Sequence, residues 1–201
     1  MATETAINRH SQIWAKDHPL PLGSRPLAFE LLEPATGRKV RSSDIDRHDV
    51  YAVFFISNHC PHSGAWEDRL VALAREHKDR AGIVFISSTD PKRFPEDGPG
   101  PIAERARDRA FTVPYLIDPD QAVADAYAAF RTPHVFVFRR ADGLVYRGTV
   151  DDNAEEPDAV TRHYLRDAIE AALAGRAVPI AETEPQGCGI KRPSDPAAGG
   201  R

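Results

Sequence analysis

The sequence predicts an α/β fold, a central mixed sheet flanked by helices. Three observations carry that expectation. Two short runs, Tyr51-Ala52-Val53-Phe54-Phe55-Ile56 and Ile83-Val84-Phe85-Ile86, are continuously apolar, β-branched and aromatic; strands apolar on both faces belong inside a sheet covered by helices. Between them Trp66, Leu70, Leu73, Ala74 and His77 recur at the spacing of one helical face. A β-α-β unit of that kind makes the sheet partly parallel, with a right-handed crossover.

The remaining elements follow in order. Residues 1–22 read as an N-terminal extension of weak periodicity, with Trp14 as its expected anchor. Pro26 to Leu32 reads as a strand, Pro34-Ala35-Thr36-Gly37 as a turn and Arg38 to Val40 as its hairpin partner. After the first apolar run, Pro61 suits the first position of a helix, where a missing N–H costs nothing. Glu67, Asp68, Arg69, Arg75 and Glu76 lie off its apolar face, and Gly82 is expected to break it before the second run. Thr89 to Pro101 holds four prolines and two glycines and reads as a loop. A helix over Ile102 to Ala110 and a short strand over Tyr115-Leu116-Ile117 follow, and Val123, Ala126, Tyr127 and Phe130 share one face of the next helix. After Thr132-Pro133, His134 to Phe138 and Leu144 to Val150 pair through Ala141-Asp142-Gly143. A last helix runs from Thr161 to Leu173 with Leu165, Ile169, Ala172 and Leu173 inward, and Gly175 stops it. The domain therefore spans 23–178, and 179–201 form an irregular C-terminal tail with a disordered end.

Composition narrows the function. The chain has 201 residues, 41% of them hydrophobic, enough for a full core. With 26 basic and 30 acidic residues the formal net charge is -4, which leaves no basic excess for nucleic acid. No apolar run reaches the length of a membrane helix and the N-terminus lacks an apolar signal segment, so the expected location is the cytoplasm. Two cysteines do not make a disulfide scaffold; in a reducing compartment they are reactive, metal-bound or buried.

Cys60 stands in Ser57-Asn58-His59-Cys60-Pro61, between a strand end and a helix start. Ligands of open α/β sheets gather at such strand ends. A helix N-terminus also favours a thiolate, the nucleophilic form of cysteine, and His59 and His62 would add to this when protonated. His59, His62 and His134 together with Cys60 are donor types that suit zinc, copper or iron, which leaves a metal- or ligand-binding protein of a specialised pathway as the second reading. Asp151-Asp152 and Glu155-Glu156 read as a solvated acidic loop.

The stretch Phe54 to Pro61, Phe94-Pro95-Glu96-Asp97, Val113 to Asp118, Thr132-Pro133, Val145-Tyr146-Arg147-Gly148, Asp151-Asp152 and Gly187-Cys188-Gly189-Ile190-Lys191 resembles the thioredoxin-like proteins of the alkyl hydroperoxide reductase and thiol-specific antioxidant group. The resemblance implies a thioredoxin-like fold and a thiol-dependent oxidoreductase with antioxidant activity. Where similar proteins carry C-x-x-C, this chain has Ser57, which leaves S-x-x-C, similar to the peroxiredoxin T-x-x-C. Val53 stands where peroxiredoxins place a proline, and Arg131 and Arg147 are the candidates for their active-site arginine. The resemblance further implies that Thr132-Pro133 is the cis-proline facing Cys60, with Arg131 and His134 nearby. It implies a peroxide or disulfide as substrate and an external thiol such as thioredoxin or glutathione as reductant. Ser57 is expected to help hold the Cys60 thiolate, with Asn58 and Pro61 in the site. Cys188 either resolves an oxidised Cys60, if its Cα comes within about 7 Å, or sits in a structural clasp. No cofactor is implied, and a second copy of the chain is a candidate partner.

Overall fold

A computed structural model describes residues 12–192. The expected disorder of the last residues falls outside that range, and the anchoring expected of Trp14 outside the described side chains. A short helix, α1 (Gln12–Asp17), leads into a hairpin of β1 (Glu30–Glu33) and β2 (Arg38–Arg41), a four-residue helix α2 (Ser42–Ile45), then β3 (Val50–Phe55), α3 (Pro61–His77) and β4 (Ala81–Ser87). There follow α4 (Pro99–Asp108), β5 (Tyr115–Ile117), α5 (Ala122–Ala126), β6 (Arg131–Thr132), β7 (His134–Arg139), β8 (Gly143–Gly148), α6 (Tyr164–Leu173) and β9 (Cys188–Gly189). Among the described residues no helix is long and apolar enough to cross a membrane.

Seven strands form one mixed sheet in the order β2-β1-β5-β4-β3-β7-β8. The β3–β4 and β4–β5 pairs are parallel, and β3–β7, β7–β8, β1–β5 and β1–β2 antiparallel. The period of two along β3 divides the core. Val50, Ala52, Phe54 and Ile56 face Trp66, Leu70, Leu73 and Ala74 of α3 and Leu165 and Ile169 of α6. Tyr51, Val53 and Phe55 face Val123, Tyr127, Phe136 and Phe138 on the other side.

Several elements differ from the sequence expectation for physical reasons. Gly82 does not break α3; it lies inside β4, opposite Tyr51, where a Cβ would stand 1.8 Å from the Ile45 carbonyl oxygen. The strand expected from Pro26 begins at Glu30. The loop expected over Thr89–Pro101 contains a 3-10 turn at Pro95–Asp97, and α4 starts at Pro99, because proline is tolerated in a first helical turn. Helix α5 is only five residues long, so Ala124 is buried and Ala126 exposed. Helix α6 begins at Tyr164, and Leu173 is half-buried. Two acids expected in solvent are buried. Glu67 pairs with Arg105 (2.6 and 3.0 Å) and Arg109 (2.9 Å), and Asp151 accepts from Trp66 Nε1 (2.7 Å) and Arg69 (2.6 Å).

The tail departs most. Its segment 188–192 is strapped to the body. Cys188 and Gly189 pair antiparallel with Thr132 and Arg131, Ile190 N donates to Phe130 O (3.1 Å), and Asp90 N donates to Lys191 O (3.0 Å). Arg192, fully buried, pairs with Asp125 and donates to Ala129 O (3.3 Å).

Candidate active site

Helix α3 begins one residue after Cys60, which is its N-cap; Cys60 Sγ accepts from Ser63 N (3.4 Å), as capping oxygens do. The sulfur is buried and, as a thiol, donates to Thr132 O (2.9 Å). The Thr132–Pro133 bond is cis, as the resemblance implied. Thr132 is the register partner of Cys188, so β6 carries the second cysteine to the first. Cys60 Sγ, Cys188 Sγ and one ring nitrogen of His62 all lie within 4.8 Å of one another, and both cysteines are free thiols. Cys188 thus sits in a clasp and beside Cys60 at once.

The two sulfurs differ electrostatically. Burial works to raise the Cys60 thiol, but the Thr132 side chain, the Cys188 thiol and the N–H groups of Ser63 and Cys188 favour the thiolate and together hold it below the ordinary 9.0. The Thr132 hydroxyl is buried and has no hydrogen-bond partner among the described residues. Burial first, and then the neighbouring Cys60, push Cys188 up to about 11. Cys60 is therefore the sulfur that ionises first.

The remaining expected residues fall into two groups. Ser57, Asn58 and His59 form the wall of the loop through Asp97. The Asp97 side chain is wholly buried and accepts from Asn58 N (2.8 Å), Ser87 Oγ (2.9 Å) and Ser57 Oγ (3.0 Å), with His59 Nδ1 at 2.7 Å. Burial opposes its charge, but these hydrogen bonds, led by His59, hold its carboxyl below the ordinary 3.8. Ser57, expected to hold the thiolate, thus turns its hydroxyl to Asp97, because a buried carboxylate is the stronger acceptor. The group three residues from Cys60 that reaches its sulfur is Ser63, one turn forward. That contact is made by the Ser63 backbone N–H, while the Ser63 hydroxyl accepts from Ser57 N (3.2 Å).

His59 and His134, named with Cys60 as metal donors, are placed elsewhere. The His59 ring stacks on Phe94 (4.2 Å) while it faces Asp97. His134 is buried against Phe136, and burial first, then the charge of Arg147, push it down to about 3, so it stays neutral. His62 remains, with Nδ1 3.8 Å from Cys188 Sγ. Both candidate arginines have partners within the fold. Arg131 donates to Gly187 O (3.2 Å) and steadies the tail, and Arg147 is buried against Glu182 (2.7 Å).

A cysteine at a strand-to-helix junction, opposite a cis-proline, defines a thioredoxin-like protein, and the comparisons place it further. The AhpC/TSA family model matches residues 22–150, and the chain belongs to that family. Among curated proteins none matches. An uncharacterized conserved protein from Geobacillus kaustophilus is 36% identical with a TM-score of 0.81, over 89% of this chain and 96% of its own. A hypothetical protein from Sinorhizobium meliloti is 31% identical with a TM-score of 0.81, over 89% and 98%. The peroxidoxin BcpB from Mycobacterium tuberculosis, 24% identical with a TM-score of 0.52 over 77% and 95%, shares the fold. Family membership supports a thiol-dependent redox role.

No local pattern marks Asp97 as the organiser of the loop, since three of its partners, Ser57, Asn58 and His59, lie 38 to 40 residues away.

Proposed function

We propose that the protein is a two-cysteine thiol oxidoreductase that cycles between a Cys60/Cys188 dithiol and the corresponding disulfide. The observation that carries this is the pair itself: two free cysteines, Cys60 at the N-cap of α3 and Cys188 on the tail strand paired with β6, with their sulfurs within 4.8 Å. With a peroxide, the Cys60 thiolate attacks one oxygen and the O–O bond breaks, which gives Cys60 sulfenic acid and an alcohol or water. Cys188 then condenses with the sulfenic acid, the S–S bond forms and water leaves. With a disulfide substrate, two exchange steps give the same Cys60–Cys188 bond and two substrate thiols. Two equivalents of an external thiol, of the thioredoxin or glutathione class, restore the dithiol and leave as a disulfide.

Cys60 is 1% exposed beneath the tail, which favours small substrates over protein disulfides. The test is mass spectrometry of the reduced protein after one equivalent of hydrogen peroxide or glutathione disulfide, with consumption of each followed in the presence of a thiol. Wild type should lose two hydrogens and link the peptides of Cys60 and Cys188, and Cys60→Ser and Cys188→Ser should form no such link. Wild-type turnover matched by Cys60→Ser would overturn the proposal.

A further inference from the structure

We propose that Cys60, His62 and Cys188 of the reduced protein form a three-ligand site for a soft d10 metal ion, zinc(II) or copper(I). This rests on the same thiol pair as the redox reading but adds His62, which that reading leaves unused.

The donor set is two sulfurs and one imidazole nitrogen, a combination suited to these ions. Its spacing fits one ion. Metal–sulfur and metal–nitrogen bonds of about 2.3 and 2.0–2.1 Å put a sulfur and a nitrogen about 3.6 Å apart in tetrahedral geometry and about 3.8 Å in trigonal geometry. The observed Cys188 Sγ to His62 Nδ1 separation is 3.8 Å, and all three donors lie within 4.8 Å of one another. The three ligands come from separately fixed places: the N-cap of α3, its first turn, and a tail strand locked to β6. The other two histidines of the neighbourhood are held away, His59 by Asp97 and Phe94 and His134 within the core.

Three protein ligands leave a coordination position open, the pattern of sites that exchange a ligand rather than close around a structural ion. His62 is exposed and Cys188 half-buried, so that position faces solvent, while Cys60 anchors the ion from the buried side. The Cys60–Cys188 disulfide removes both thiolates, so the oxidised protein should bind nothing.

The test uses the full chain, reduced and desalted without oxygen. Zinc(II) is titrated against a chromophoric chelator, copper(I) against a copper(I)-selective chelator, and cobalt(II) serves as a spectroscopic stand-in whose thiolate charge-transfer band reports sulfur ligation. One ion per chain in either the zinc or the copper arm, with the cobalt band present, supports the site and identifies the ion. His62→Ala should weaken binding at least about tenfold, since even outer partners of metal ligands cost 10–100-fold. Cys188→Ser and the oxidised wild type should lose it. Reduced wild type that retains no ion in either arm, or folded His62→Ala that binds as tightly as wild type, would overturn the proposal. The two readings separate cleanly: a disulfide that forms without metal binding rejects the metal site alone, and metal binding without disulfide formation rejects the redox cycle alone.

Discussion

Replacing Asp97 by asparagine should loosen the Cys60 loop and the fold together. Each carboxylate oxygen is in use: Oδ1 accepts from Asn58 N (2.8 Å) and Ser87 Oγ (2.9 Å), and Oδ2 accepts from Ser57 Oγ (3.0 Å) and His59 N (3.3 Å), with His59 Nδ1 at 2.7 Å. An asparagine amide offers one acceptor oxygen. In either orientation its NH2 faces a backbone N–H, of Asn58 or of His59. A buried donor left without an acceptor costs about 1–3 kcal/mol, and the lost charge moves the sum to about 3 kcal/mol. For a chain of this size that lowers Tm by about 6–12 °C. The pH dependence has a definite sign. The folded carboxyl lies below its ordinary 3.8, so its stabilisation is complete above that value and fades as pH falls through the lower folded value. The gap between wild type and Asp97→Asn should therefore be full at pH 7 and shrink in strong acid. The assay is thermal unfolding followed by circular dichroism at a series of pH values, with the rate of Cys60–Cys188 disulfide formation as a second readout. A Tm within about 1 °C of wild type at pH 7 would refute the assignment of Asp97 as the organiser of the loop, a 1 °C change being well under 1 kcal/mol.

Gly187→Ala should push the tail strand off β6, because at φ +137° its Cβ would stand 2.2 Å from the Thr132 carbonyl oxygen; disulfide formation should slow at least about tenfold, read by quenched alkylation, with a smaller change in Tm than Asp97→Asn gives. Gly82→Ala should cost about 3 kcal/mol, since its Cβ would collide with backbone at Ile45, and urea unfolding should show the midpoint fall without a change in slope. Thiolate absorbance of the reduced protein should titrate in two steps, one below 9.0 from Cys60 and one near 11 from Cys188, and Cys188→Ser should abolish the upper step; a single step near 9.0 would contradict the inequality of the two sulfurs.

The sheet was legible because its strands advertise themselves. Two all-apolar runs bracket a helix whose face repeats at i, i+4 and i+7, and that pattern placed β3, β4 and the start of α3 to within two residues, while α3 ends at His77, ahead of the break expected at Gly82. The position of Cys60 followed from the same boundary, with Pro61 marking the helix start. What local pattern could not show was the use of polar groups at long range. Ser57 looked like a partner of Cys60 because it is three residues away, yet a strand end and a helix start point those side chains apart, and Asp97 claims the hydroxyl. Asp151 and Glu67 read as solvent-facing from their charge, and only the tertiary fold supplies the Trp66, Arg69 and Arg105 groups that let them be buried. The tail read as irregular because proline and glycine dominate it. Its order comes from Arg192 and from the free edge of β6, neither visible as a period.

The order of the tail also gives the thiol pair a direction. In the disulfide form an incoming thiolate can strike either sulfur. Cys60 is covered, while Cys188 is half-buried at the surface. The departing sulfur should be the better leaving group, and that is the thiolate of lower pKa. Cys60 lies below the ordinary 9.0 and Cys188 above it, so Cys60 is the better leaving group. Access and leaving-group strength then favour the same event: attack at Cys188 and departure of Cys60 into the N–H groups of α3 and β9. Reduction of the oxidised protein by glutathione, stopped early with an alkylating agent and mapped by mass spectrometry, should find glutathione on Cys188 and the alkyl group on Cys60, with at least about a tenfold preference over the reverse. Glutathione found chiefly on Cys60 would mean that the tail lifts before exchange, and that the pairing of β9 with β6 is a gate over Cys60 rather than the platform on which the two sulfurs react.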